Sequence, residues 1–296
     1  MFQLQQKEIE KFFAYAQERE SIRLKKEAGL PKPWTKDKIL LEHRFCNVNR
    51  EHDKVTVWFR ENIREPLRHD PRILLATFAF RFFNLPSSGQ VMLDVGGLDI
   101  FDHKVWLKNA KKIAAGIKKN PQKVTGAYMT KTPTGLDKTD GCMWVIDNFI
   151  KRHFNGPDFF NTQRSLQSAT EYLASFAFMG PFCAYEVVTD LRHTWLLENA
   201  PDIMKWANPG PGAARGLSRM CGLEKTALRR GSKADVDVMQ ELMYRLLAIS
   251  NMNVYWPHEW WRWDMRTVEH TLCEYDKYER TRQGQGQPRS RYNGAA

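Results

Sequence analysis

Ser165-Leu-Gln-Ser-Ala-Thr-Glu-Tyr-Leu-Ala-Ser-Phe-Ala-Phe-Met179, then Gly180-Pro181-Phe182, then Cys183-Ala-Tyr-Glu-Val-Val-Thr-Asp190-Leu-Arg192-His193 is the stretch on which the fold turns. Its first part places Leu166, Ala169, Leu173, Phe176 and Ala177 on one helical face. Gly180 suits a helix C-cap, because a residue without Cβ takes positive φ freely. Pro181 suits the first turn of a following helix, where its missing N–H would be unpaired anyway. Ala184, Val187, Val188, Leu191 and Trp195 stripe that second helix. The prediction is helix, very short hairpin, helix. Such a hairpin can offer backbone N–H groups and a helix dipole to a DNA phosphate, which makes Gly180 and Phe182 DNA-binding candidates. On pattern alone, an ordinary antiparallel helix pair in a bundle is the plainer reading. Asp190 falls inside the second helix, beside Arg192.

The chain around this stretch has 296 residues, 42% hydrophobic and 27% charged, which are globular values. Its formal net charge is +11 and its pI about 9.4, and both favour a polyanionic partner, most simply nucleic acid. Ten tryptophans and seventeen phenylalanines supply core and base-stacking surface. No apolar run approaches the ~20 residues that cross a bilayer, so no membrane partner is expected. The polar start, Met-Phe-Gln-Leu-Gln-Gln-Lys-Glu, predicts no signal peptide. Five scattered cysteines without a Cys-x-x-Cys pair predict free thiols in a reducing cytoplasm.

Along the chain, Phe2 to Ala28 predicts an amphipathic helix with Ile9, Phe12, Phe13 and Ala16 inward. Thr35 is expected to cap the next helix. It runs into Glu42-His-Arg44-Phe-Cys-Asn47-Val-Asn-Arg50-Glu-His-Asp53. There Arg44, Asn47 and Arg50 are candidates to face a phosphate or a base edge. The alternative is a capped helix junction, with Asp53 the N-cap of the following helix. Pro71 opens a helix, Arg72 to Phe83, too apolar for a surface, and Leu85-Pro-Ser-Ser-Gly89 is expected to break the chain. Asp99 or Asp102 starts the next helix. Lys123 to Gly141, rich in Thr and Gly around Pro133, predicts a loop or small β-hairpin carrying Lys131 and Lys138 as an anion site. Asp140, Ser232 and Asp264 are expected to cap helices. Trp206-Ala-Asn-Pro209-Gly210-Pro211-Gly212-Ala-Ala-Arg215-Gly216 predicts an irregular phosphate-binding loop with Gly210 and Gly212 against DNA. With neither repeat nor linker, the expectation is one helical domain over residues 1–280 and a basic flexible tail over 281–296.

The chemistry is thinly marked. No His-x-x-x-His or Cys-x-x-Cys pair exists, so no metal site is predicted; His270 and Cys273 share a helical face but make only two ligands. No Gly-x-x-x-x-Gly-Lys-Ser/Thr occurs, which counts against a kinase of the phosphate-loop type. Acid–base candidates are Asp190, Glu269, Glu274 and Asp276. His270 lies one turn from Glu274, a spacing that can orient an imidazole as a base or simply pair two side chains on a helix surface.

Five blocks, in order, carry a family resemblance: Lys32-Pro-Trp-Thr-Lys-Asp-Lys-Ile-Leu40 with Arg44-Phe-Cys-Asn-Val-Asn-Arg50 and Asp53; Lys131-Thr-Pro-Thr-Gly135; Gly180-Pro-Phe-Cys-Ala-Tyr185 with Thr189-Asp-Leu-Arg192; Trp206-Ala-Asn-Pro-Gly-Pro-Gly212 with Arg215; and Glu269-His-Thr-Leu-Cys-Glu-Tyr-Asp-Lys277-Tyr-Glu-Arg280. Together they resemble the bacteriophage thymine-hypermodification family, the α-glutamyl/putrescinyl thymine pyrophosphorylases or amino-acid:DNA transferases. The helical domain of 5-hydroxymethyluracil DNA kinases is similar. The resemblance implies an all-α fold related to helix-hairpin-helix DNA glycosylases. It implies a reaction on a flipped-out modified thymine, in which an amine (an amino acid or a polyamine) displaces pyrophosphate from 5-(pyrophosphoryloxymethyl)deoxyuridine. It implies Asp190, Glu269 or His270 as the base, and Arg44, Asn47, Arg50, Lys131, Arg192, Arg215 and Lys277 around pyrophosphate and substrate. Mg2+ is the one cofactor it suggests, and a 5-hydroxymethyluracil DNA kinase the protein partner. The chain departs from bifunctional glycosylases: Gly180 is followed by Pro, Phe, Cys and Ala rather than a lysine, and the iron–sulfur cysteines of some glycosylases are lacking. A monofunctional glycosylase and a non-catalytic DNA-binding partner of a kinase stay open as alternatives.

Overall fold

A computed structural model describes residues 2–156, 158–162, 164–286 and 288, leaving residues 287 and 289–296 of the expected tail outside the described residues. The helices are, in chain order, α1 (Gln6–Glu27), α2 (Lys38–Glu42), α3 (Lys54–Phe59), α4 (Ile73–Phe83), α5 (Pro86–Gly96), α6 (His103–Lys118), α7 (Lys138–His153), α8 (Phe159–Thr162), α9 (Leu166–Ala174), α10 (Gly180–Leu191), α11 (Pro211–Met220), α12 (Lys233–Ser250) and α13 (Met265–Arg282). The fold is all-α, with no strand among the described residues, so the Lys123–Gly141 segment is irregular until α7 begins. The helices gather into two compact units, one made of residues 1–53 and 203–296, the other of residues 54–202.

In the first unit α13 is central, with α1, α2, α11 and α12 against it. Its core is aromatic: Phe12 meets Phe13, Trp263 and Tyr275 edge-on, and Trp256 packs among Trp260, Trp261 and Trp263. Burying rings of this size is a large part of what holds the unit's helices together. In the second unit every residue of α4 is buried, with α5, α7 and α10 around it. Phe78 stacks on Phe149 at 4.0 Å between α4 and α7.

Several boundaries differ from expectation, each for a local reason. Asp37, not Thr35, caps α2 by accepting the N–H groups of Ile39 and Leu40, while Thr35 Oγ1 accepts the Asp37 N–H. Leu85-Pro-Ser-Ser-Gly89 starts α5 rather than breaking the chain, because Pro86 occupies the first turn. Asp137, three residues earlier than expected, caps α7, and Asp140 in the first turn pairs with Lys118 at 2.7 Å. Pro211 opens α11 inside what reads as a loop. Asp102, Ser232 and Asp264 do cap α6, α12 and α13. Helix α9 stops at Ala174, so its connection to α10 is five residues long; Phe178 and Gly180 both take positive φ, at 66° and 60°. A β-carbon is no obstacle to space at Gly180, but the left-handed conformation itself favours glycine there. Helix α10 ends at Leu191, which leaves Trp195 beyond it.

Candidate functional site

The first unit's site is built on α13, with His270 and Glu274 turned to the 44–53 loop and Glu269 and Asp276 turned to Gly210 and α11. Arg266, Glu269, His270, Glu274, Asp276 and Glu279 are all buried. Burying this much charge is costly unless each group is paired, so the partners define the site. Arg266 donates to Glu269 at 2.7 Å, and the Gly210 N–H donates to the other Glu269 oxygen at 3.1 Å. Glu269 thereby fixes the Gly/Pro segment to α13. Glu274 accepts the Cys46 N–H at 2.8 Å and pairs with Lys277 at 2.6 Å. Lys277 also lies 4.8 Å from the Phe45 ring centroid. Asp276 gathers three arginines: Arg215 at 2.8 Å, Arg219 at 3.1 Å and Arg280 at 3.2 Å.

The loop of residues 44–53 lies against His270 and Glu274 and is held in shape by its own bonds. The Asn47 N–H donates to Asp53 Oδ1 at 2.9 Å, and Asn47 Nδ2 donates to the His52 carbonyl at 2.7 Å. Arg19, from α1, donates to Asn47 Oδ1 at 2.7 Å. Asp53 therefore turns back into the loop just before α3 begins. The result brings a thiol, a carboxylate and an imidazole together: ligand atoms of Cys46, Asp53 and His270 all lie within 4.8 Å of one another.

Burial dominates the electrostatics of this cluster. It pushes the Cys46 thiol well above its ordinary value, with Glu274 and Asp53 adding to the rise and Lys277 and Arg50 opposing it. Burial also raises the Asp53 carboxyl, against the pull of Arg50 and the Asn47 N–H. Cys273, one helical turn from Glu269, is pushed up to about 12 by burial and then by Glu274 and Glu269. Burial alone would lower the Lys277 ammonium; Glu274 and Cys46 outweigh it and the net shift is upward. The site thus mixes fixed cations with acids that hold their protons more tightly than usual.

Of the residues singled out in the sequence, this unit brings together Asn47, Arg50, Glu269, His270 and Lys277. Arg44 is exposed. Arg215 belongs to the Asp276 cluster. Gly210 and Gly212 are buried and serve packing: a β-carbon at Gly212 would lie 2.3 Å from Cys273 Sγ and 3.0 Å from the Cys273 Cα.

Asp190, Arg192, Lys131, Gly180 and Phe182 belong to the second unit. Asp190 is buried and both its oxygens accept from Arg81, Nη2 to Oδ1 at 2.8 Å and Nε to Oδ2; Arg64 adds a contact at 3.5 Å. Arg81 also reaches Asn84 at 2.8 Å and Thr56 at 3.1 Å. Burial alone would lower the pKa of the Arg81 guanidinium, and Asp190 more than reverses it. This is the geometry of a buried anchor tying α4 to α10. Gly180 and Phe182 are exposed at the start of α10, where Phe182 meets Tyr128 edge-on at 5.3 Å, and Phe178 meets Trp144 edge-on at 5.7 Å. Lys131 is exposed. Lys138 is turned to the Thr130 carbonyl and, with Lys118 and Lys123, lines an open depression of 520 Å3. Arg192 donates to His193 Nε2 at 3.2 Å.

Sequence reasoning passed over Arg81, although a lone arginine in an otherwise apolar helix demands a buried counter-charge. It also passed over Cys46 and Asp53 as partners of His270, because a loop and a helix more than two hundred residues further on give no spacing to recognise.

Residues 6–287 match the family model described as the helical domain of 5-hmdU DNA kinase. The chain is also similar to the 5-hmdU DNA kinase of Bacillus phage SP10, 24% identical over 269 residues, which is 84% of this chain and 41% of that protein. It therefore spans about two-fifths of the length of the curated relative that it matches. No solved structure matches it. With the family model covering nearly its whole length, the chain belongs to the 5-hmdU DNA kinase helical-domain family.

Proposed function

We propose that this member of the 5-hmdU DNA kinase helical-domain family is a DNA base-modifying transferase. In the reaction an amine nitrogen attacks the 5-methylene carbon of a pyrophosphorylated 5-hydroxymethyl-deoxyuridine. The carbon–oxygen bond breaks, pyrophosphate leaves with its electron pair, and the ammonium proton passes to the protein. The observation that carries the reading is the buried acid–base face of α13 under the 44–53 loop, in a chain of this family with a net charge of +11. A target base inside a duplex reaches a pocket only by flipping out. Lys277 and Arg50 supply fixed positive charge for the departing polyanion. Glu269 and His270 are the candidate proton acceptors on α13. Asp190 we assign to positioning, since Arg81 binds both its oxygens and Arg64 adds a contact, whereas one Glu269 oxygen meets a backbone N–H. The exposed start of α10 in the second unit, with Gly180, Phe178 and Phe182, is the proposed contact to the DNA strand.

A second reading has two observations in its favour: the matched relative is named as a kinase, and the chain carries no phosphate-loop motif in its 296 residues. On that reading the chain is a DNA-binding module working beside a separate kinase. Incubation with DNA bearing pyrophosphorylated 5-hydroxymethyl-deoxyuridine and a panel of amines separates the cases. Pyrophosphate release, an intact strand and a heavier nucleoside on mass spectrometry support the transferase. An abasic site means a glycosylase, and DNA binding without any change in the nucleosides means the module.

A further inference from the structure

We infer that Cys46, Asp53 and His270 form a binding site for a divalent transition metal of the zinc, cobalt or iron(II) class. The inference goes beyond the transferase reading and does not depend on it. Three ligand atoms of different kinds, a sulfur, a carboxylate oxygen and an imidazole nitrogen, lie within 4.8 Å of one another, from half-buried Cys46 and Asp53 and buried His270. Around a tetrahedral ion with bonds of about 2.0–2.3 Å, neighbouring ligand atoms sit about 3.5 Å apart. Binding therefore draws the set in by about 1 Å, a movement that side-chain torsions can supply.

The donor set selects the ion. Mg2+ and Ca2+ take oxygen ligands almost exclusively, whereas a thiolate with an imidazole suits borderline and soft cations. Thiolate and carboxylate together offset the two charges of the ion. Three protein ligands leave a fourth position open, the pattern of sites that bind an exogenous ligand rather than purely structural ones.

The surroundings hold the ligands as a metal site requires. The Asn47 N–H fixes Asp53 at 2.9 Å, and the Glu274 carboxylate fixes the Cys46 backbone at 2.8 Å one helical turn beyond His270. Loop and helix are thus clamped together at the point where the three donors converge. If His270 is a ligand, the proton in the proposed transfer falls to the α13 carboxylates, Glu269 first.

Co2+ titration of the full chain, purified without chelator, tests this directly. The expected result is one Co2+ per chain with a thiolate-to-cobalt charge-transfer band in the near ultraviolet, displaced by Zn2+. Cys46→Ser should lose that band and His270→Ala should bind at least tenfold more weakly, while Cys142→Ser and Cys221→Ser keep both signals. Glu274→Ala, which touches no donor atom but removes the acceptor of the Cys46 N–H, should weaken binding by about tenfold or more through the loop. A wild-type chain that shows no charge-transfer band, or a Cys46→Ser chain that retains it, overturns the site. Neither result depends on whether pyrophosphate is ever released, so failure here leaves the transferase reading standing, and the reverse holds too.

Discussion

The Cys46 N–H donates to Glu274 Oε2 at 2.8 Å, and this bond joins the 44–53 loop to α13. Glu274 is buried, and its carboxylate also holds Lys277. Replacing Glu274 with alanine removes an acceptor from a partly buried N–H and strands an ammonium, at a cost of about 1–3 kcal/mol. Glu274→Gln keeps an oxygen for Cys46 and should lose less. Urea unfolding of the two variants checks the order; equal stability of Glu274→Ala and wild type would mean that the loop is held by other bonds.

Asp190 and Arg81 make a buried, two-pronged ion pair in the second unit. Asp190→Ala leaves the guanidinium charged in the interior, and the expected loss is about 3–5 kcal/mol. Removing both charges, as Arg81→Met with Asp190→Leu, should restore a good part of it, because the uncompensated charge is then gone. Denaturation of the single and double variants gives the coupling between the two sites. A stable Asp190→Ala chain that has lost activity would return Asp190 to the catalytic candidates.

Gly212 packs α11 on α13, with Cys273 where a β-carbon would go. Gly212→Ala forces either the thiol or the helix to move, and overpacking of this kind costs about 1–3 kcal/mol. The midpoint of thermal unfolding should fall. DNA affinity of the folded fraction should stay as it was, since the residue is buried. A weaker DNA complex with unchanged stability would put Gly212 back at the nucleic-acid surface.

What the sequence disclosed depended on how far apart the interacting residues are. Helices came from local periodicity: α4, α12 and α13 are where the apolar spacing and the caps at Ser232 and Asp264 put them, and α10 begins where expected but ends at Leu191, short of Trp195. Boundaries failed where proline has two meanings, since Pro86 and Pro211 open helices in segments that read as breaks. Site residues were hardest. Arg215 read as a phosphate ligand because its counter-ion, Asp276, belongs to another helix. Cys46 and Asp53 carried no motif because their partner His270 arrives only when α13 folds beneath the loop.

His153 is buried beside Phe149 and bonds the Tyr172 hydroxyl at 2.6 Å. Burial lowers its pKa below the ordinary 6.5, and Asp158 offsets this only in part. Between the lowered value and 6.5 the unfolded chain binds a proton that the native chain refuses, so stability falls as the pH drops through that window. Above it the group has no effect on the pH dependence. His153→Gln should therefore show a shallower decline in unfolding temperature on the acid side than wild type. Parallel curves for the two chains would mean that the imidazole titrates alike in both states.

Glu269 and His270 are neighbours on α13 with different tasks open to them. Glu269 is bound on both oxygens, by Arg266 and by the Gly210 N–H, whereas His270 lies at the Cys46–Asp53 cluster. Loss of a proton acceptor costs typically about 10²–10⁴ in rate. Measured as pyrophosphate released from modified DNA, Glu269→Gln and His270→Asn should differ in the pH dependence of what remains. If His270 takes the proton, Glu269→Gln keeps the wild-type pH profile at reduced stability, because its loss acts through the Gly210 segment. If Glu269 takes it, that variant loses the acid limb of the profile in addition to that stability, and His270→Asn keeps the limb. Activity of wild-type level in both variants would remove α13 from the chemistry altogether.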